Sequence, residues 1–198
     1  MQNKTYAAHF RPQIEKEALI YDFIMIMGAS IFIALSAQIA FSVPFSPVPI
    51  TGQTLAVVLT GALLGSRRGG LAIVAYLLEG ISGLPVFAQA QFGIIHLVGP
   101  TGGYLIGFIP AAYLSGLLSE SGWGKSIFSA LGIMTLSTVI IFICGLSWLS
   151  LFFGNNNVFE VGLYPYLVGA VIKITLAAVL FRLGWRVIDK YSTDEAEQ

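Results

Sequence analysis

Lys173 makes the sharpest chemical demand in this sequence. It stands about nine residues, or ~14 Å, into the last apolar segment from its outer end. At that depth an ammonium needs an anionic partner or a cavity. Gly169, Ala170 and Ala177 lie one turn away on the same helical face, Tyr166 lies two turns outward, and no acid sits at hydrogen-bonding spacing on the segment. Small residues there leave space. Two readings stay open: a lysine that snorkels or pairs with Glu79 or Glu160, or an ammonium that receives a ligand carboxylate. The second is favoured, because a charge inside a membrane is a functional-site hypothesis by default. A second polar group comes from Gln89, Gln91 and His96, set in the apolar, glycine-containing stretch from Leu84 to Pro100. Amides both donate and accept, which suits an uncharged polar ligand group such as a urea. His96 alone does not make a metal site.

Other chemistries find little support. The one cysteine, Cys144, excludes an internal disulfide or a clustered-thiol metal site and reads as a small packing residue. Ser119 to Ser126 ends in Gly124-Lys125-Ser126 but lacks the first glycine and the preceding strand of a phosphate loop. An intramembrane enzyme is the rival of a different class, and it has no convincing base, nucleophile or metal cluster here. No cofactor or metal is expected. The net charge of zero offers no basic face to displace counterions from nucleic acid.

The elements that must position Lys173 follow from composition. With 56% hydrophobic and 10% charged residues the chain has too little polar surface for a soluble fold, which usually carries about a quarter charged residues. A lipid bilayer is its solvent. Apolar segments at about 20–41, 53–65, 69–84, 102–118, 126–153 and 164–187 predict an all-α, polytopic bundle of six membrane helices. The whole chain, 1–198, is one transmembrane domain, with the bundle over 19–188 and exposed tails at 1–18 and 189–198. The second and third segments are short, which raises a re-entrant hairpin; its tip, Ser66-Arg67-Arg68, would place two guanidiniums near mid-membrane at ~3 kcal/mol or more each. Two short spans cost less.

Of the ten Lys and Arg, nine fall in the tails, in the two loops on one side, or near the inner end of the last helix: Lys4, Arg11, Lys16, Arg67, Arg68, Lys125, Arg182, Arg186 and Lys190. The connections 42–52, 85–101 and 154–163 carry none. By the positive-inside rule both termini are cytoplasmic. In the first outer connection Pro44, Pro47 and Pro49 remove donors and fix φ, so it is an extended, non-helical lid or an inert rigid connector. Gly61, Gly65 and Gly69, with Gly103 and Gly107, and on the first helix Ser30 with Ala34 and Ser36 with Ala40, have the spacing that lets helices approach closely in lipid. Packing within the chain and a partner-docking surface both fit.

Four stretches carry a resemblance. They are Val43-Pro-Phe-Ser-Pro-Val-Pro-Ile-Thr-Gly-Gln-Thr-Leu-Ala-Val57, Gly61-Ala-Leu-Leu-Gly-Ser-Arg-Arg-Gly69, Gly83-Leu-Pro-Val-Phe-Ala88 and Gly99-Pro-Thr-Gly-Gly-Tyr-Leu-Ile-Gly-Phe108. Through them residues 30 to 187 resemble the BioY family, the biotin-specific S components of energy-coupling-factor (ECF) transporters. The resemblance implies a six-helix subunit of the cell inner membrane that binds biotin from outside. It also implies work with a transmembrane coupling subunit and two cytoplasmic ATPases, and it turns the small-residue face of the first helix (Ser30, Ala34, Ser36, Ala40) toward partner docking. The family typically carries an aspartate three residues before its lysine. Here Ala170 stands in that place, leaving Gln89 or Gln91 to supply the polar contact. The expected site is then Lys173 on the biotin carboxylate, Gln89 and Gln91 on the ureido ring, and Phe45, Phe87 and Tyr166 around the apolar part, with Gly169 leaving room. A lipoate-like acid, which would keep the lysine contact and need fewer amide contacts, is the alternative substrate.

Overall fold

The structure, a computed structural model, describes residues 5–194, and within them the side chains of all but 155–156 and 185–194. Apolar runs punctuated by glycine, serine and proline fold as helices α1 (Tyr6–His9), α2 (Glu15–Gln38), α3 (Gln53–Leu64), α4 (Ser66–Ile81), α5 (Ile95–Val98), α6 (Gly102–Glu120), α7 (Ile127–Gly162) and α8 (Tyr164–Asp194). Strands β1 (Ala40–Phe41) and β2 (Ile50–Thr51) pair antiparallel, Ala40 opposite Thr51 and Phe41 opposite Ile50, and close the proline-rich connection into a hairpin.

Among the described residues, four helical stretches are long and apolar enough to cross a membrane: Glu15–Gln38, Gly102–Glu120, Ile127–Gly154 and Tyr164–Gly184. At 1.5 Å per residue, α3 reaches only about 18 Å. It does not need to face lipid. Residues 56–62 are buried throughout, enclosed by α2, α4, α6, α7 and α8. The lipid solvent shows on the outside instead, where α2 exposes Leu19, Phe23, Ile24 and Leu35 and α8 exposes Val168, Val171 and Ile172.

Burial of apolar surface does little to hold helices together in lipid, so close backbone packing must. A Cβ on Gly61 would run into the Ala112 carbonyl, one on Gly69 would stand 2.7 Å from the Gly61 Cα, and one on Gly116 would meet the Gly65–Ser66 peptide. Gly103 fits against Trp148 and Gly107 against Cys144 in the same way. These glycines therefore serve packing inside the chain.

The small residues of α2 do not form a free docking stripe. Ser30 is fully buried and donates to the Glu79 carboxylate across the α2–α4 contact at 2.6 Å, while Ala34 packs partly buried on the core. Ser36 donates to its own helix at Phe32 O, 2.8 Å, and Ala40 lies beyond the helix in β1. The helical turn brings Ser30, Ile33 and Ala37 inward and leaves Ala34 and Ser36 partly exposed.

The chain shuttles between two ends. At one, Asp22 of α2 pairs with Arg11 at 3.0 Å and with Arg68 of α4 at 2.6 Å. Beside them Glu120, at the end of α6, accepts from the Ser66 backbone N–H at 2.8 Å and from the Ser66 hydroxyl, capping α4. The Ser66-Arg67-Arg68 tip thus sits among the other charges and not mid-bundle. At the opposite end gather the hairpin, residues 82–101 and the α7–α8 junction. Lys4 and the side chains of Arg186 and Lys190 lie outside the described residues.

Two boundaries differ from expectation. Part of the amino-terminal stretch packs on the bundle: Thr5 and Ala7 are buried, the Tyr6 ring lies tilted to Phe181 with centroids 6.4 Å apart, and α2 begins at Glu15, while residues 9–11 and 13–17 are exposed. Residues 155–162 are helical, not a loop. Gly154, at φ 72° and ψ 162°, is itself non-helical and separates the long apolar helix before it from the shorter helix after it, both within the span of α7.

Candidate functional site

The hairpin loop is held over the bundle by Tyr166. Its hydroxyl donates to the Val48 carbonyl and lies 2.7 Å from the Ser46 Oγ, which in turn accepts from the Val48 N–H at 3.1 Å. Prolines leave this loop few backbone donors, so a side chain from α8 supplies the anchor. Pro47, Val48 and Pro49 thereby roof a cavity of about 410 Å³, a size suited to a small organic ligand.

Lys173 lines the cavity, half-buried, with its Nζ donating to the Thr51 carbonyl at 3.0 Å. Neither acid considered for it is engaged there: Glu79 holds Ser30, Glu160 is exposed, and among the described residues the ion pairs are those of Asp22. Among the described residues the ammonium's further N–H bonds have no acceptor. A carbonyl orients such a charge without neutralising it.

Below the hairpin, Gln53 opens α3 and is buried. Its amide donates to the Tyr76 hydroxyl at 2.5 Å and its oxygen accepts from Thr51 Oγ1 at 3.0 Å. The facing wall is the second outer connection. Phe87 is buried there, edge-on to Tyr76 and His96 with centroids 5.6 and 5.9 Å away, and a Cβ on Gly80 would strike its ring. Gln89 donates to Ser42 Oγ at 2.6 Å, whereas among the described residues the Gln91 side-chain amide has no hydrogen-bond partner. Tyr104, Leu105, Phe108, Ile141 and Phe142 make the apolar floor. The Tyr104 hydroxyl is already used, donating to Gly162 O at 2.8 Å, so the ring presents carbon to the cavity.

Lys173, Gln89, Gln91, Phe87 and Tyr166 are therefore brought together, and His96 and Ala170 join them. Two expected residues are not. Phe45 is 65% exposed and outside the cavity wall, because the turn closed by Ser46 N–H on Val43 O points it outward. Gly169 also lies off the wall, where an added Cβ would meet only Ile50 Cγ2 at 3.9 Å. Sequence reasoning missed Gln53, Thr54, Thr101, Tyr104 and Thr138 as lining groups. A polar residue opening a short, otherwise apolar helix was the available signal for Gln53.

One end of the cavity offers a cation, the walls offer amide and hydroxyl groups, and the floor is aromatic and aliphatic. Among the described residues no three His, Cys, Asp or Glu gather as metal ligands.

Comparison with known proteins bears on these features. The model of the BioY family matches residues 6–190. The probable biotin transporter BioY of Pyrococcus horikoshii is 38% identical over 152 residues, covering 76% of this chain and 90% of the relative. The biotin transporter BioY of Thermotoga maritima is 39% identical over 157 residues, covering 78% and 92%. Among solved structures, the S-component for biotin from an ECF-type ABC transporter matches with a TM-score of 0.75 at 26% identity, over 88% of this chain and 95% of that one.

Proposed function

The chain belongs to the BioY family, and on that premise we propose that its cavity holds biotin with the carboxylate on Lys173. The protein is a multi-pass membrane subunit for biotin uptake, and it is a transporter component, not an enzyme. One observation carries the binding mode: an ammonium inside the cavity whose protein partner is a carbonyl at 3.0 Å and not an acid. Such a group is completed by a ligand anion. Gln91, Gln89 and Thr54 line the same cavity and suit the ureido ring, while Phe87, Tyr104, Phe108 and Tyr166 enclose the apolar remainder. The Gln91 amide, which has no hydrogen-bond partner among the described residues, favours biotin over a lipoate-like acid, which would leave it unpaired.

The finer reading has six spans, α2, α3, α4, α6, α7 and α8, in the inner membrane with both termini cytoplasmic. The Arg11–Asp22–Arg68 cluster and the lysine-free and arginine-free hairpin at opposite ends support that orientation. No part of the chain resembles an ATPase, so accumulation is assigned to an ECF coupling subunit and two cytoplasmic ATPases. The outward face of α2 is the proposed contact, not the buried Ser30.

Equilibrium binding to the purified chain tests the mode. Lys173→Met should weaken biotin by about 2 kcal/mol or more, roughly 30-fold, while biotin amide binds parent and variant alike. Equal biotin affinity in the two proteins would make the lysine structural.

A further inference from the structure

Gln89 and Ala90 both adopt left-handed backbone, φ 60° and 56°, although neither is glycine or asparagine. A Cβ makes that region unfavourable, and two such residues in succession persist only where their surroundings hold them. The turn is closed at its base by Phe87 N–H donating to Gln91 O at 3.0 Å. The rest of the restraint comes from α2. Gln38, its last residue, donates from Nε2 to Phe87 O at 3.2 Å and to Ala34 O at 3.1 Å, and accepts at Oε1 from Ala90 N–H at 2.9 Å. One side-chain amide thus takes both a carbonyl and an N–H of the turn, as a neighbouring strand would. Four residues on, Ser42 accepts the Gln89 amide at 2.6 Å.

From this geometry we propose that Gln38 is a positioning residue for ligand retention. It clamps the 87–91 turn to the outer end of α2 and so holds one wall of the cavity closed. Phe87, Ala88, Gln89 and Gln91 all line that cavity, whereas Gln38 itself does not. The packing of α2 on the bundle relies instead on Ile33 and Ala37, both fully buried. Loss of the clamp therefore loosens the wall without unseating the helix, and displacement of the outer end of α2 is delivered directly to the ligand. The ligand part of the proposal rests on the biotin reading given above.

The test uses the full chain in lipid nanodiscs, with Gln38→Met to keep length and remove hydrogen bonding, and Gln38→Glu to keep an acceptor for Ala90. In the Met variant, amide exchange over residues 88–91 should rise about tenfold without ligand. Biotin should also leave about tenfold faster with its association rate nearly unchanged. Thermal stability of the ligand-free chain should match the parent, and the Glu variant should recover much of the slow dissociation. Unchanged exchange or unchanged dissociation in the Met variant overturns the proposal, and so does a global loss of stability equal in both variants. A parent chain that fails to bind biotin would sink the binding reading, while ligand-free exchange would still decide whether the clamp exists.

Discussion

The charged end of the bundle and the cavity end are built from similar polar groups that are used in opposite ways. At the charged end Asp22 is shared by Arg11 and Arg68, Glu120 is spent on the first turn of α4, and glycines bring α3, α4 and α6 backbone to backbone. At the cavity end Lys173 has a carbonyl for company, Gln91 has no hydrogen-bond partner among the described residues, and the chain runs through a hairpin and a left-handed turn. At the first end the carboxylates are engaged within the chain. At the second, among the described residues, the Lys173 charge has no acid and the Gln91 amide has no partner, so stability and binding should respond to different substitutions.

That separation can be attacked from either side. The largest effect is expected at the glycine seam, where Gly61→Ala pushes a Cβ into the Ala112 backbone. We expect a loss of about 3 kcal/mol in stability, with unaltered biotin affinity in whatever fraction stays folded. Thermal denaturation alongside equilibrium binding measures both, and a selective loss of binding would mean that the two ends are not independent. Lys173→Met is the mirror image: the roughly 30-fold loss of binding given above should come with a melting temperature no lower than the parent's, since the substitution removes a desolvated charge. A smaller effect follows for Glu120→Gln, which weakens the charge at the start of α4 and should reduce stability by about 1 kcal/mol without touching affinity. The smallest is Phe45→Ala. Its exposed ring lies outside the cavity, so biotin affinity should stay within about twofold of the parent, and a tenfold loss would bring the hairpin tip into the ligand's surroundings.

Much of this architecture was legible beforehand, for reasons visible at particular residues. Apolar length and the placement of Arg67 and Arg68 marked the helices and their ends, because the bilayer penalises unpaired backbone and misplaced charge wherever they occur. Lys173 was legible for the same reason: its depth in an apolar run makes it conspicuous without any knowledge of its neighbours. Phe45 and Phe87 were not distinguishable in sequence, since both are phenylalanines in irregular outer segments. Only the Val43–Ser46 turn, which faces one outward, and the Gly80 gap, which receives the other, separate them. The α2 stripe was ambiguous in the same way. Small residues at a spacing of four fit a partner helix and a neighbour in the same chain equally well, and Glu79 on α4 decided that Ser30 faces inward.

By itself the sequence determined the solvent, the number of apolar segments, the sign of each end and the presence of one uncompensated deep cation, all of which depend on local composition and on the energetics of lipid. The tertiary structure alone decided that Thr51 O meets Lys173, that Gln53 and Tyr104 share its cavity, and that Gln38 holds the wall opposite. Those contacts join residues up to 122 positions apart, and a carbonyl or an amide is too common along a chain for composition or periodicity to show which of them meet.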